Sequence, residues 1–123
     1  MQKRVTVVIP NYNGMKYLKT CLDSLARQVF QEFDTIVVDN ASADESRTFI
    51  RENYPWVRLI VMDKNTGFSG AVNRGIREAK TPYVILLNND TEADRKFVLE
   101  MVQIMDSDER IFSANCKLVQ FYN

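Results

Sequence analysis

The sequence predicts an α/β protein built on a doubly wound, mainly parallel sheet. Three observations lead there. Four short apolar runs, Val5 to Ile9, Thr35 to Val38, Val57 to Met62 and Tyr83 to Leu87, are near-continuous and rich in Val and Ile, as strands buried on both faces are. Longer stretches of helical period separate them, and strand starts recur roughly every 20 to 30 residues, as in βαβ units. The right-handed crossover rule then winds these units into a sheet with helices on both sides.

Each element has its own local reason. After the first strand, Met15, Leu18, Leu22, Leu25 and Val29 fall at helical spacing on one face, while Lys16, Lys19, Asp23 and Arg27 take the wet side. Ser42-Ala43-Asp44-Glu45 has the capping-box spacing and announces a second helix. Its buried side is Phe49, Ile50 and Tyr54, and Pro55 ends it. A third helix starts near Gly67 or Phe68, turns Phe68, Val72, Ile76 and Ala79 inward, and stops before Pro82. Asp94 to Asp106 forms a fourth, with Phe97, Val98, Met101, Val102, Ile104 and Met105 on a broad apolar face. Ile111 to Cys116 is a candidate fifth strand. No internal repeat or linker interrupts the series, so residues 1–123 read as one domain. The tail Lys117 to Asn123 has no closing helix, and the expectation is a truncated piece of a larger unit, with the sheet edge and the face of Phe97, Met101, Ile104 and Met105 left bare for self-association.

Composition removes whole classes of function. At 123 residues, 46% hydrophobic and 26% charged, the chain can bury a core without staples. Sixteen basic residues balance sixteen acidic ones, so the positive field that draws proteins to nucleic acid is missing. No run of about 18 apolar residues suggests a transmembrane segment, and Pro10 and Asn11 interrupt any secretory h-region. The expected location is the cytoplasm, including the inner face of the membrane. There is no histidine, which excludes Ser-His-Asp and Cys-His nucleophiles and His-ligated zinc or haem. Cys21 and Cys116 are far apart, without C-x-x-C, and Cys21 reads as a small buried hydrophobe. A metal here is therefore held by oxygen, which suits Mg or Mn.

Open α/β sheets bind ligands beyond the carboxyl ends of their strands, where strand order reverses. All four ends are polar: Pro10-Asn11-Tyr12-Asn13-Gly14, Asp39-Asn40-Ala41-Ser42, Asp63-Lys64-Asn65-Thr66-Gly67 and Asn88-Asn89-Asp90-Thr91. Asn and Asp also favour turns and caps for local reasons, so one such end means nothing, whereas four at one edge make a binding site an equal reading. Asp39, an acceptor when ionised, can take an N–H from a flat heterocycle. Asp90 can hold a hard cation that bridges phosphates. The glycines from Gly67 to Gly75 do not have the G-x-G-x-x-G spacing, and no P-loop is present. The start of the third helix can present amides to an anion, or Gly67 can be a positive-φ loop glycine with Gly70 and Gly75 at close-packing positions.

Val7-Val8-Ile9-Pro10-Asn11-Tyr12-Asn13, Ile36-Val37-Val38-Asp39-Asn40-Ala41-Ser42, Asn65-Thr66-Gly67-Phe68 through Asn73-Arg74-Gly75-Ile76, and Leu86-Leu87-Asn88-Asn89-Asp90 together resemble glycosyltransferase family 2. The N-x-G-F and N-x-G-I signatures are similar to its rhamnosyltransferase-like branch. The resemblance implies the nucleotide-binding half of a GT-A fold, a nucleoside-diphosphate-sugar donor carrying UDP or dTDP, a saccharide or lipid-linked acceptor, and an inverting transfer assisted by Mg or Mn. It implies that Pro10, Asn11 and Tyr12 lie beside the nucleotide and that Asp39 accepts the pyrimidine N3–H. Asn65 and Gly67 would line the donor cleft, Asn73 and Arg74 would support it, and Asn88-Asn89-Asp90 stands where the family has D-x-D, with Asp90 as the metal carboxylate. This chain departs from D-x-D at Asn88, where an amide replaces a carboxylate and removes one negative charge. The general base of the family belongs to the acceptor half, beyond Asn123. Asp94, Glu100, Asp106, Asp108 and Glu109 read instead as solvated-face residues. The fragment alone is therefore expected to be inactive. A non-catalytic nucleotide-binding or interaction module is the alternative, and a receiver-like domain accounts for the sheet but not for the four polar ends together.

Overall fold

The computed structural model describes residues 3–107, in which strands and helices alternate strictly. They are β1 (Val5–Asn11), α1 (Met15–Ala26), β2 (Phe33–Asp39), α2 (Ser46–Asn53), β3 (Val57–Val61), α3 (Gly67–Glu78), β4 (Tyr83–Leu86) and α4 (Phe97–Ser107). All pairings are parallel, in the order β3-β2-β1-β4. The chain steps outward from β1 to β3, then α3 returns it to the other side of β1. Strand order thus reverses between β1 and β4, and the sheet is doubly wound as expected. The candidate strand Ile111 to Cys116 and the tail to Asn123 lie outside the described residues.

Alternation along β1 divides the core. Val5, Val7 and Ile9 join Leu18, Leu22 and Leu25 of α1, Ile50 of α2 and Val98 and Val102 of α4 on one face. Val8 packs with Ile36, Val38, Ile60 and Ala71 on the other, under α3. Asp106 fastens the far end of α4, accepting from Arg4 Nη2 at 2.7 and 2.8 Å and from the Tyr83 hydroxyl at 2.6 Å.

Several local expectations are corrected. Val29 does not extend the α1 face: the helix ends at Ala26 and Val29 is 47% exposed. The chain leaves the helix there because the buried Gln28 side chain bridges to the next layer. Its Nε2 donates to Ser24 O and Asp94 O, and its Oε1 accepts from Val98 N at the start of α4. Ser42 and Glu45 do not form a capping box, since α2 begins at Ser46 and the Ser42 hydroxyl is turned back to Asp39. Asp44 does that work, accepting from Ser46 N and Oγ through Oδ1 and from Met15 N, at the start of α1, through Oδ2. Burial pushes the Asp44 carboxyl up, but these hydrogen bonds outweigh it and hold it below its ordinary range.

On α3 the inward residues are Ala71, Val72 and Gly75, while Phe68 and Ile76 are exposed. The reason is Gly75, where a Cβ would run into Val8 and Val38; the helix sits close to the sheet along that line and its larger side chains swing off it. In α4, Val98 and Val102 are buried and Phe97 and Met101 pack partly against the core, so these two are not bare, whereas Ile104 is exposed.

Candidate functional site

The carboxyl ends of the strands surround a cleft of about 400 Å³ at the β1–β4 reversal. All four polar ends contribute residues to it. The end of β1 contributes Pro10, Asn11 and Tyr12, the end of β2 contributes Asn40, and the turn into α3 contributes Asn65, Gly67 and Phe68. Asn88, Asn89 and Asp90 follow β4 and close the opposite side.

The floor is a chain of hydrogen bonds that crosses the sheet. Asn11 and Asp39 are register partners at the last rung of the β1–β2 ladder. Asn11 Nδ2 donates to Asp39 Oδ1 at 3.0 Å, and Asn11 Oδ1 accepts from Asn89 Nδ2 at 2.8 Å. A strand-end carboxylate is thereby tied through one amide to the loop that carries Asp90. Asp39 Oδ1 also accepts the Ser42 hydroxyl at 2.7 Å, Oδ2 accepts Ser42 N at 3.0 Å, and Arg47 Nε stands 3.9 Å from Oδ2. Asp39 is 0% exposed and does not line the cleft. Oδ2 keeps a free acceptor position, but a ligand N–H can reach it only after the groups that cover this carboxylate move.

Asn73 and Arg74 also stand off the cleft wall. Asn73 is exposed on α3, and Arg74 Nε is 3.1 Å from Glu78 Oε1, on a carboxylate shared with Arg58. Gly67 has φ +80°, which fits its reading as a loop glycine. Two cleft residues were not singled out from the sequence. Helical spacing places Phe68 on the inner face of α3, yet it is 61% exposed on the cleft's lip. Sequence marks Asn40 only as part of a polar end. Ala41, with φ 65°, sits in the left-handed region that a non-glycine residue seldom adopts and separates Asn40, which reaches toward the α3 turn, from Ser42, which folds back on Asp39.

Cys21 supplies no nucleophile, because burial raises its thiol to about 12. For a metal, the described residues contain no group of three or more His, Cys, Asp or Glu. They do offer Asp90, which is exposed in the cleft and has no hydrogen bond or ion pair among the described residues, with the Asn88 and Asn89 amides beside it. One free carboxylate with oxygen donors nearby suits Mg or Mn, which retain waters and take further ligands from phosphates. No helix of the described residues is long and apolar enough to cross a membrane.

Residues 6–120 match the family model described as glycosyl transferase family 2. The chain belongs to that family. Among curated relatives, the teichoic acid poly(glycerol phosphate) polymerase of Staphylococcus epidermidis is 32% identical over 93 residues, covering 72% of this chain and 13% of that protein. Among solved structures, S. aureus TarS in complex with UDP-GlcNAc superposes with a TM-score of 0.78 at 25% identity, over 85% of this chain and 31% of the other. A mannosyltransferase from Pyrobaculum calidifontis, in complex with GDP-Man and Mn2+, gives 0.78 at 26%, over 85% and 33%. The chain thus spans a third or less of each of these three proteins. The α/β fold matches that of these GT-A neighbours.

Proposed function

We propose that this chain forms the donor-binding part of an inverting glycosyltransferase that moves a sugar from a UDP- or dTDP-sugar to a saccharide or lipid-linked acceptor in the cytoplasm or at the inner face of the membrane. The observation that carries this reading is the cleft at the strand-order reversal, where Asp90, without a partner among the described residues, lines one cavity with Tyr12, Asn65, Gly67 and the amides of Asn11, Asn40 and Asn89. In this reading the base lies toward Tyr12, Asn40 and the α3 turn, and the diphosphate lies toward Asn88, Asn89 and Asp90. The neighbours solved with UDP-GlcNAc and with GDP-Man and Mn2+ support a nucleotide-sugar donor and a divalent cation.

The residues divide the work by chemistry. Tyr12 and Phe68 give exposed ring surface to a flat base. Asn89, held by Asn11, keeps the Asp90 loop in place, so the carboxylate needs little reordering on binding. Asp90, with Asn88 beside it, would hold a Mg or Mn ion, which would neutralise charge on the leaving diphosphate. Asp39 remains the proposed N3–H acceptor, through Oδ2, once the groups that cover the buried carboxylate open toward the cleft. Asn73 and Arg74 act from behind, by fixing α3. Among the described residues no general base is nominated: Asp106 is committed to Arg4 and Tyr83, and Asp94 and Glu100 are exposed and do not line the cleft.

Calorimetry with UDP and dTDP, with Mn and after chelation, tests the reading. Binding should need the cation, exceed that of ADP, and lose at least tenfold, about 1.4 kcal/mol, in Asp90→Ala. Equal affinity for ADP, or indifference to chelation, would remove the cation-bridged pyrimidine site. Mass analysis of acceptor mixtures should detect no sugar transferred by this chain alone.

A further inference from the structure

Asn40 is held more tightly than a turn residue requires. Its backbone N–H donates to Asn11 O at 2.8 Å, tying the ends of β1 and β2. Its side chain then spans to the next loop: Oδ1 accepts from Thr66 N at 2.9 Å and Thr66 Oγ1 at 3.2 Å, and Nδ2 donates to Gly67 O at 2.9 Å. The residue is only 4% exposed, yet it lines the cleft. A primary amide carries two N–H groups. One is spent on Gly67, and the other has no partner among the described residues. Because the amide is planar and clamped on both its oxygen and its nitrogen, that second hydrogen is fixed in direction.

We propose that Asn40 is a specificity-determining residue of the cleft, which offers its second Nδ2 hydrogen to an exocyclic keto oxygen of the ligand's base and rejects an amino group at the same position. The inference rests on the donor-cleft reading above and adds which base edge is read. Asn40 lies at the floor, under the β2 end, while Asp90 marks the phosphate side at the β4 end. A nucleotide lying across the cleft therefore directs the base edge remote from its ribose toward Asn40. On a pyrimidine that edge carries O4, an acceptor in uracil and thymine, where cytosine has an amino group. Two donors facing each other at a nearly buried position leave both unsatisfied, and this is how one hydrogen bond becomes a large discrimination.

The test compares UDP and CDP on the 123-residue chain by calorimetry, in the parent and in Asn40→Asp. The parent should prefer UDP by tenfold or more. Asp has the same shape but no donor, and its carboxylate accepts from an amino group, so the UDP-to-CDP ratio should fall at least tenfold even if both affinities drop. A residue that merely shapes the loop would lower both equally and leave the ratio unchanged, which would overturn the proposal. If Asn40→Asp does not fold, 4-thio-UDP decides the matter on the parent chain. It keeps N3–H, as a somewhat stronger donor, and weakens the acceptor at position 4, so binding should fall severalfold, and affinity equal to or above that of UDP would refute the assignment. Failure of the parent to bind UDP, dTDP or CDP at all is a different result, which removes the donor-cleft reading and this inference with it.

Discussion

Asp39 offers the sharpest test of what holds the cleft together, through the isosteric change Asp39→Asn measured with no ligand present. In the parent, three donors converge on the carboxylate: Ser42 N, the Ser42 hydroxyl and Asn11 Nδ2. An amide keeps one oxygen and turns the other into a donor. If the oxygen stays toward Asn11 and the Ser42 hydroxyl, the new NH2 points at Ser42 N, and two buried donors face each other. If it is flipped, the NH2 meets Asn11 Nδ2 instead. Either way one hydrogen bond to a charged group is lost, about 1.5 to 3 kcal/mol, and a buried donor is left without an acceptor, about 1 to 3 kcal/mol. Relief from burying a charge offsets part of this, because the carboxylate is fully enclosed. The net expectation is a loss of about 2 to 4 kcal/mol, a large share of the roughly 5 to 15 kcal/mol typical of a domain. Urea denaturation should show the midpoint falling with the slope unchanged. Ser42→Ala should couple to it in a double-mutant cycle by about 0.5 to 3 kcal/mol. If Asp39→Asn unfolds within about 0.5 kcal/mol of the parent, the network is decorative and the carboxylate serves only a ligand.

Other changes probe the packing around this network. Gly75→Ala drives a methyl into Val8 and Val38 and should cost about 1 to 3 kcal/mol, with Val8→Ala restoring part of the loss in the double variant; purely additive urea midpoints would refute the close-approach argument. Thr35→Val removes a buried hydroxyl that has no hydrogen-bond partner and should raise stability by about 1 kcal/mol, read as a higher melting temperature. Asp106 is held below the ordinary carboxyl range by the Tyr83 hydroxyl first and Arg4 next. Its contribution is therefore fully present above the unfolded Asp value, near pH 4, and lost as pH falls through the lower folded value. Amide exchange along α4 should accelerate, relative to the rest of the chain, on acidification below about pH 4, and Asp106→Asn should abolish that pH dependence.

β1 and β2 were legible because burial on both faces demands unbroken Val and Ile; β3 and β4 carry the same apolar runs but are edge strands, and the two-faced burial expected of them is not found, since Val84 and Leu86 are exposed. Helices were legible as segments but not as faces. Spacing names the residues that share a side, yet the side that meets the sheet depends on how near the axis comes. Gly75 decides that for α3 and sends Phe68 outward, and Gln28 ends the α1 stripe before Val29. At the cleft, polarity marked the loops that line it. What it could not assign was which of two neighbouring polar residues faces the cleft. Strand alternation carries part of that answer, since Asp39 shares the parity of Val37 and so points toward α1 and α2. The rest depends on the left-handed turn at Ala41, a conformation that an alanine does not advertise. The capping-box pattern at Ser42 misled for a related reason, because a hydroxyl beside a buried carboxylate is drawn to the charge rather than to the helix.

The hydrogen bond from Asn89 to Asn11 joins residues 78 positions apart in the chain, and β4 can take its place beside β1 only after everything between them has been threaded. Parallel, non-local pairing of this kind is slow, since loop closure must precede its reward. During synthesis the wall that bears Asp90 therefore does not exist until the chain through Asp90 has left the ribosome, and no partial intermediate made of β1 to β3 can recognise a ligand that needs both walls. Such a ligand meets only the finished sheet. Its stabilising effect belongs wholly to the native state and should slow unfolding while leaving the folding rate untouched.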